Sequence, residues 1–126
     1  MRIIRKDEIK QPIENSDGEL FYEMIGRGEK LGNSEKHSFG IVKVLDGFTT
    51  RPHYHPNSEE TYYITKGNAL MIIDDKSYPV KEEDTILILP NEKHQLLANN
   101  GNVEAIVVCS PAWEINNTIF VEEDEE

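Results

Sequence analysis

Gly47-Phe48-Thr49-Thr50-Arg51-Pro52-His53-Tyr54-His55-Pro56-Asn57-Ser58-Glu59-Glu60-Thr61-Tyr62-Tyr63-Ile64-Thr65-Lys66-Gly67 is the stretch on which the reading of this chain turns. His53 and His55 are two residues apart, so on extended backbone both imidazoles leave the same face and can share one cation. Glu60 offers a hard oxygen after a turn. A fourth donor, His94 in Pro90-Asn91-Glu92-Lys93-His94, is expected from an adjacent strand. Three imidazoles and one carboxylate suit a divalent transition metal and leave coordination positions open for a ligand. Of two neighbouring glutamates, strand parity places Glu60, Tyr62 and Ile64 on one face and turns Glu59 away, so Glu60 is taken as the donor.

The spacing resembles the two-part signature of the cupin superfamily. The first part is met at Gly47, His53, His55, Glu60 and Gly67. The second reads Glu83, Asp84, Ile86 to Leu89, Pro90, His94 and Asn99. Two positions depart from it: Glu83 stands where the family has glycine, and the glycine usual after the proline is missing from Pro90-Asn91-Glu92-Lys93. These departures bear on turn geometry, not on ligation. The resemblance covers about Gly40 to Cys109, and the surrounding sequence is similar to small single-domain cupins. It implies an all-β, jelly-roll barrel of two antiparallel sheets. It further implies one metal ion (iron, manganese, nickel, zinc or copper) on His53, His55, Glu60 and His94, and a homodimer whose N-terminal arm lies across the partner subunit. The chemistry it points to ranges over dioxygenases, isomerases, decarboxylases and lyases acting on small molecules, with binding modules that catalyse nothing as the other class.

The rest of the chain agrees with an all-β reading. Apolar or β-branched runs recur at Leu20 to Ile25, Phe39 to Leu45, Thr61 to Thr65, Ala69 to Ile73, Thr85 to Leu89, Gln95 to Ala98 and Val103 to Cys109. Turn pairs separate them: Asp17-Gly18, Asp46-Gly47, Gly67-Asn68, Asp74-Asp75 and Asn100-Gly101. Arg5 to Lys10 is expected to form about one turn of helix. One domain is expected over 1–126, with an N-terminal arm or edge strand at 1–19, a core at 20–113 and a solvated acidic tail at 122–126.

With 13 basic against 24 acidic residues the formal net charge is −11, which argues against nucleic acid or anionic membrane as a partner. A single cysteine, Cys109, excludes an intrachain disulfide and fits a reducing compartment. No apolar run approaches a membrane span, so a soluble cytoplasmic protein is expected. Cys109 ends an apolar strand and is read as a buried structural thiol.

Parity also nominates the lining of the site. Arg51 shares the face of His53 and His55 and could meet an anionic group; a surface ion pair is its plainer reading. Tyr62, beside Glu60, could donate to a ligand or fill the core. Leu96 and either Met71 with Ile73 or Leu70 with Ile72 supply apolar wall. Gln95 points away from the metal, His37 is a strand histidine outside the site, and Trp113 packs the C-terminal segment over the barrel.

Overall fold

The computed structural model describes residues 1–121; the acidic run Glu122 to Glu126 lies outside the described residues. Ten strands follow one another: β1 Glu19–Ile25, β2 Ser38–Val44, β3 His53–Tyr54, β4 Glu59–Lys66, β5 Ala69–Ile73, β6 Lys76–Val80, β7 Thr85–Ile88, β8 His94–Leu97, β9 Val103–Ser110 and β10 Ile119–Phe120. They form two five-stranded sheets, ordered β1-β2-β9-β4-β7 and β10-β3-β8-β5-β6, with antiparallel pairing throughout. Three single 3-10 turns complete the described residues, one of them at Lys6–Glu8 inside the stretch where a helical turn was expected. The result is the all-β jelly-roll barrel that the sequence implied.

Strict alternation produces the core. Along β2 and β9 every second residue is buried, so Val42, Val44, Val103, Ala105 and Val107 face inward with Ile64, Met71, Leu96 and Ala98 from the other strands.

Three strands had no run of their own in the sequence. β6 carries Pro79 and is exposed along most of its length, so no alternation marks it; proline is tolerated because β6 is an edge strand. Its position is set instead by a two-residue hairpin at Asp74-Asp75, both with positive φ (48° and 71°), as a type I′ turn requires. β3 and β10 are only two residues each, too short to show a period. β10 pairs with β3, so the packed fold continues past residue 113.

Both departures from the family pattern fall on left-handed backbone. Glu83 has φ 75° and Asn91 has φ 71°, so the turns keep the conformation that glycine would adopt freely. Gly67 is required outright: φ is 86°, and a Cβ there would lie 2.3 Å from the Asn102 carbonyl oxygen.

The N-terminal arm folds onto its own chain. Ile13 bridges Phe21, the Arg2 guanidinium donates to the Glu29 carbonyl at 3.1 Å, and the Lys6 ammonium sits 4.3 Å over the Tyr22 ring.

Candidate metal centre

β3, β4 and β8 bring His53, His55, Glu60 and His94 to one point inside the barrel. One potential ligand atom from each lies within 4.8 Å of all the others. His53 pairs directly with His94 across β3 and β8, which sets their rings 4.3 Å apart, and the His55 ring lies 4.9 Å from that of His53. Glu60 is buried and Glu59 exposed, as parity required.

The hydrogen bonds decide which nitrogen each histidine presents. His53 Nδ1 lies 2.7 Å from the Arg51 carbonyl, His94 Nδ1 2.9 Å from the Glu92 carbonyl, and His55 Nδ1 3.0 Å from the Asn117 carbonyl. A carbonyl can only accept, so each Nδ1 carries the proton and each Nε2 is left as a lone pair. Two of those lone pairs face Glu60: Oε1 is 2.8 Å from His94 Nε2 and 3.3 Å from His55 Nε2. Two lone pairs facing a carboxylate oxygen at such distances repel unless a proton or a cation lies among them. His55 Nε2, His94 Nε2 and Glu60 Oε1 are also buried with no hydrogen-bond partner. Buried polar atoms are normally satisfied, so this donor set fits a bound metal ion.

The electrostatics match. Burial, then the neighbouring His94, lowers His53 to about 3, so its Nε2 is free of a proton at neutral pH. Burial alone would raise Glu60, but contacts with His55 and His94 outweigh it and hold the carboxyl well below its usual range. Burial likewise works to lower His55, but the adjacent Glu60 reverses the direction and raises it.

Beside the centre lies a cavity of about 40 Å³, lined by Asn15, Glu19, Thr50, His53, Glu60 and Tyr62 with Phe21, Val42, Val107 and Trp113 as its less polar wall. Tyr62 is buried, packs edge-on to His94 at 5.9 Å and has its hydroxyl proton held tightly, chiefly by burial. Trp113, read from sequence as a cover for the barrel, is part of this wall. Arg51 is not: its guanidinium lies 4.1 Å over the Phe120 ring, and the register shifts by one residue between the Thr49–Leu97 and His53–His94 pairs, which upsets simple parity across Arg51. Met71 and Leu96 are buried, Ile73 packs against the core, and Gln95 turns outward to donate to Thr49 Oγ1. His37 is exposed. Cys109 is buried opposite Glu60 in the β4–β9 register, and burial followed by the Glu60 charge pushes its thiol up to about 12.

Two contributors escaped the sequence. Glu19, the first residue of β1, is a buried carboxylate in the cavity wall. Its parity with Phe21 was the available signal. The C-terminal segment holds His55 from behind: the Thr118 hydroxyl donates to the Glu114 carbonyl and so accepts from His55 Nδ1, at 3.2 Å. No local pattern could reveal that contact across 63 residues.

The Cupin domain family matches residues 40–111, more than half of the chain. The protein is a cupin. A second protein, the uncharacterized MJ1618 of Methanocaldococcus jannaschii, is 37% identical over 111 residues, covering 86% of each chain. SchB of Streptomyces halstedii is 36% identical over 69 residues, and there the match spans about half of either protein (55% and 49%). Among solved structures, this cupin superposes on Streptomyces PAC13 with uridine at a TM-score of 0.78, with 17% identity and coverage of 97% and 91%. It also superposes on the polyketide cyclase RemF of Streptomyces resistomycificus at 0.76, with 17% identity and coverage of 99% and 88%. At such identities these two establish the cupin fold alone.

Proposed function

We propose that this cupin is a metalloenzyme that binds one divalent transition metal on His53, His55, Glu60 and His94 and acts on a small organic metabolite, acid or sugar-like, in the adjacent cavity. The observation that carries the reading is the set of buried, partnerless Nε2 and Oε1 atoms around one point. A metal ion held there would supply Lewis-acid or redox chemistry. The protein's own contribution is positional. Carbonyls of Arg51, Glu92 and Asn117 fix the three imidazole orientations, Phe21, Val42 and Val107 supply apolar wall, and Tyr62 lines the same cavity beside the centre. Solved relatives in fold include a nucleoside dehydratase and a polyketide cyclase, which supports catalysis on small molecules.

Elemental analysis of protein purified without chelator, beside His94→Ala, tests this directly. Near-stoichiometric metal in the wild type and none in the variant is expected. Iron would direct assays to dioxygen consumption, and manganese, nickel or zinc to isomerase and lyase substrates. No metal in either, even after reconstitution, would sink the metalloenzyme and leave a binding module.

We place the protein in the cytoplasm as a homodimer. Supporting the first, the single thiol is buried and unpaired; among the described residues no helix is long and apolar enough to cross a membrane. Supporting the second, the outer face of the first sheet ends in edge strand β7 and exposes Leu87, Leu89 and Tyr63. Light scattering at twice the chain mass is expected; a monomer at high micromolar concentration would overturn it.

A further inference from the structure

The cavity beside the centre carries a charge that no metal site needs. Glu19 is 4% exposed, no lysine or arginine is among the described lining residues, and the Arg51 charge is the weakest of the influences that favour its ionised form. An uncompensated buried carboxylate costs stability unless donors satisfy it. Three donors do so in part. The Arg51 backbone N–H donates to Oε1 at 3.0 Å, the Asn15 side chain contributes a further hydrogen bond, and the Ser16 hydroxyl divides its one proton between Oε1 at 3.0 Å and the Thr49 carbonyl at 2.9 Å. Burial still raises the carboxyl above its usual range, while these contacts act against it and favour the ionised form. An ionised carboxylate has about four acceptor positions, so about one is left for whatever enters the cavity. Glu60, across the same cavity, is a second carboxylate, and its charge is committed to the histidine cluster.

Resting on the metal-site reading above, we propose that Glu19 sets the ligand class of this cavity: a small molecule with one oxygen-donor group for the histidine–glutamate centre and a hydroxyl or amine hydrogen for Glu19, without a second anionic group. A second carboxylate or a phosphate would meet Glu19 in a low-dielectric space, where like charges repel strongly. A hydroxyl would donate into the remaining acceptor position. At about 40 Å³, far below the roughly 300–1,000 Å³ of pockets for drug-sized ligands, the cavity admits only a small end group of the ligand. Arg51, the one residue that could have received a second anion, holds its guanidinium over Phe120 and is absent from the lining.

The test uses the metal-loaded protein and matched probes that differ in one end: 3-hydroxypropionate against malonate, and 4-hydroxybutyrate against succinate. Cobalt(II) supplies a visible spectrum that reports binding without turnover. In the wild type the hydroxy acid of at least one pair is expected to bind about tenfold or more tightly than the diacid. Glu19→Gln, which retains an acceptor for Ser16 and Arg51, should shrink that ratio towards one, chiefly by admitting the diacid; Glu19→Asp, which keeps the charge, should preserve the preference. Equal affinities in the wild type, or a ratio unchanged in a folded, cobalt-loaded Glu19→Gln protein, would overturn the proposal and reduce Glu19 to a brace for Ser16 and Arg51. Should Glu19→Gln fail to take up cobalt, the wild-type ratio and Glu19→Asp still decide. Failure of the wild type to take up cobalt at all would refute the metal site beneath it, a separate outcome.

Discussion

The two ends of the barrel interior differ along the same strands. On β4 the inward positions run Glu60, Tyr62, Ile64; on β9 Cys109, Val107, Ala105, Val103; on β8 His94, Leu96, Ala98; on β2 Ser38, Gly40, Val42, Val44. Each begins with a polar or titratable residue at the level of the metal centre and becomes wholly apolar two to four residues on. Since antiparallel register aligns Ser38, Cys109 and Glu60 in one row, the polarity is gathered at one end. The apolar end stabilises the fold by burial; the polar end leaves buried atoms unpaired and is an energetic cost until something binds. The difference teaches that fold and site here are separable along the strand axis.

Paired substitutions break the comparison most sharply. Ile64 is fully buried at the apolar end. Ile64→Ala should cost about 2–5 kcal/mol of unfolding free energy while metal stoichiometry in the surviving folded protein is unchanged. His94→Ala should do the reverse, abolishing metal retention with a native circular dichroism spectrum. Urea titration and elemental analysis on both proteins check this, and loss of fold and metal together in His94→Ala would refute the separation.

That asymmetry also explains what could be read in advance. Period-two alternation and turn pairs disclosed seven of the strands and their apolar ends, because each signal is local. The cluster of His53, His55, Glu60 and His94, which could hold a metal ion, was legible for the same reason: a two-residue spacing, a parity argument for Glu60 and a second short motif around His94. Glu19 and Thr118 were not. Their importance depends on contacts with Arg51 and His55, 32 and 63 residues away, which only the closed barrel creates. Arg51 shows the converse failure. Its parity with His53 assumed an unbroken register, which shifts by one residue between the Thr49–Leu97 and His53–His94 pairs.

Acid separates the two ends in the metal-free protein. His53 is lowered from 6.5 to about 3, so below pH 6.5 the unfolded chain takes up a proton that the folded protein refuses. Glu60, held below 4.5, acts in the same direction: its stabilisation is present above 4.5 and is lost as pH falls. His55 has the opposite sign, because a raised value stabilises at low pH and loses that contribution as pH rises through it. Melting temperature is therefore expected to fall from pH 6.5 towards 4, with a shallower slope in His53→Ala and an unchanged slope in Ile64→Ala. Equal slopes in all three would place the acid sensitivity elsewhere.

The brace behind His55 sharpens the comparison from outside the barrel. Thr118→Val keeps the shape and removes the hydroxyl that accepts from Nδ1, leaving only the Asn117 carbonyl at 3.0 Å. Partners of this kind are worth roughly 10–100-fold in metal affinity, and the retained carbonyl argues for the lower figure. Competition with a chromophoric chelator measures it. An unchanged affinity would show that Asn117 alone orients the ring.

The smallest expected effect lies at neither end but in the turn before β7. Glu83 is exposed, and its backbone N–H donates to the Ile64 carbonyl at 2.8 Å with φ at 75°. An L side chain there costs roughly 1–2 kcal/mol, whereas glycine would relieve that strain at the expense of a more flexible unfolded chain. Glu83→Gly should therefore raise stability by about 0.5–1 kcal/mol, and Asn91→Gly by less, since asparagine tolerates left-handed backbone. Metal affinity should not move in either: both side chains are exposed, and the one contact to the donor set, the Asn91 backbone N–H donating to the His55 carbonyl at 3.0 Å, is a backbone bond that glycine keeps. A gain in stability with no change at the centre would confirm that glycine at these two positions serves the turn alone. A change in metal affinity would mean that strain in these turns reaches His94, three residues beyond Asn91.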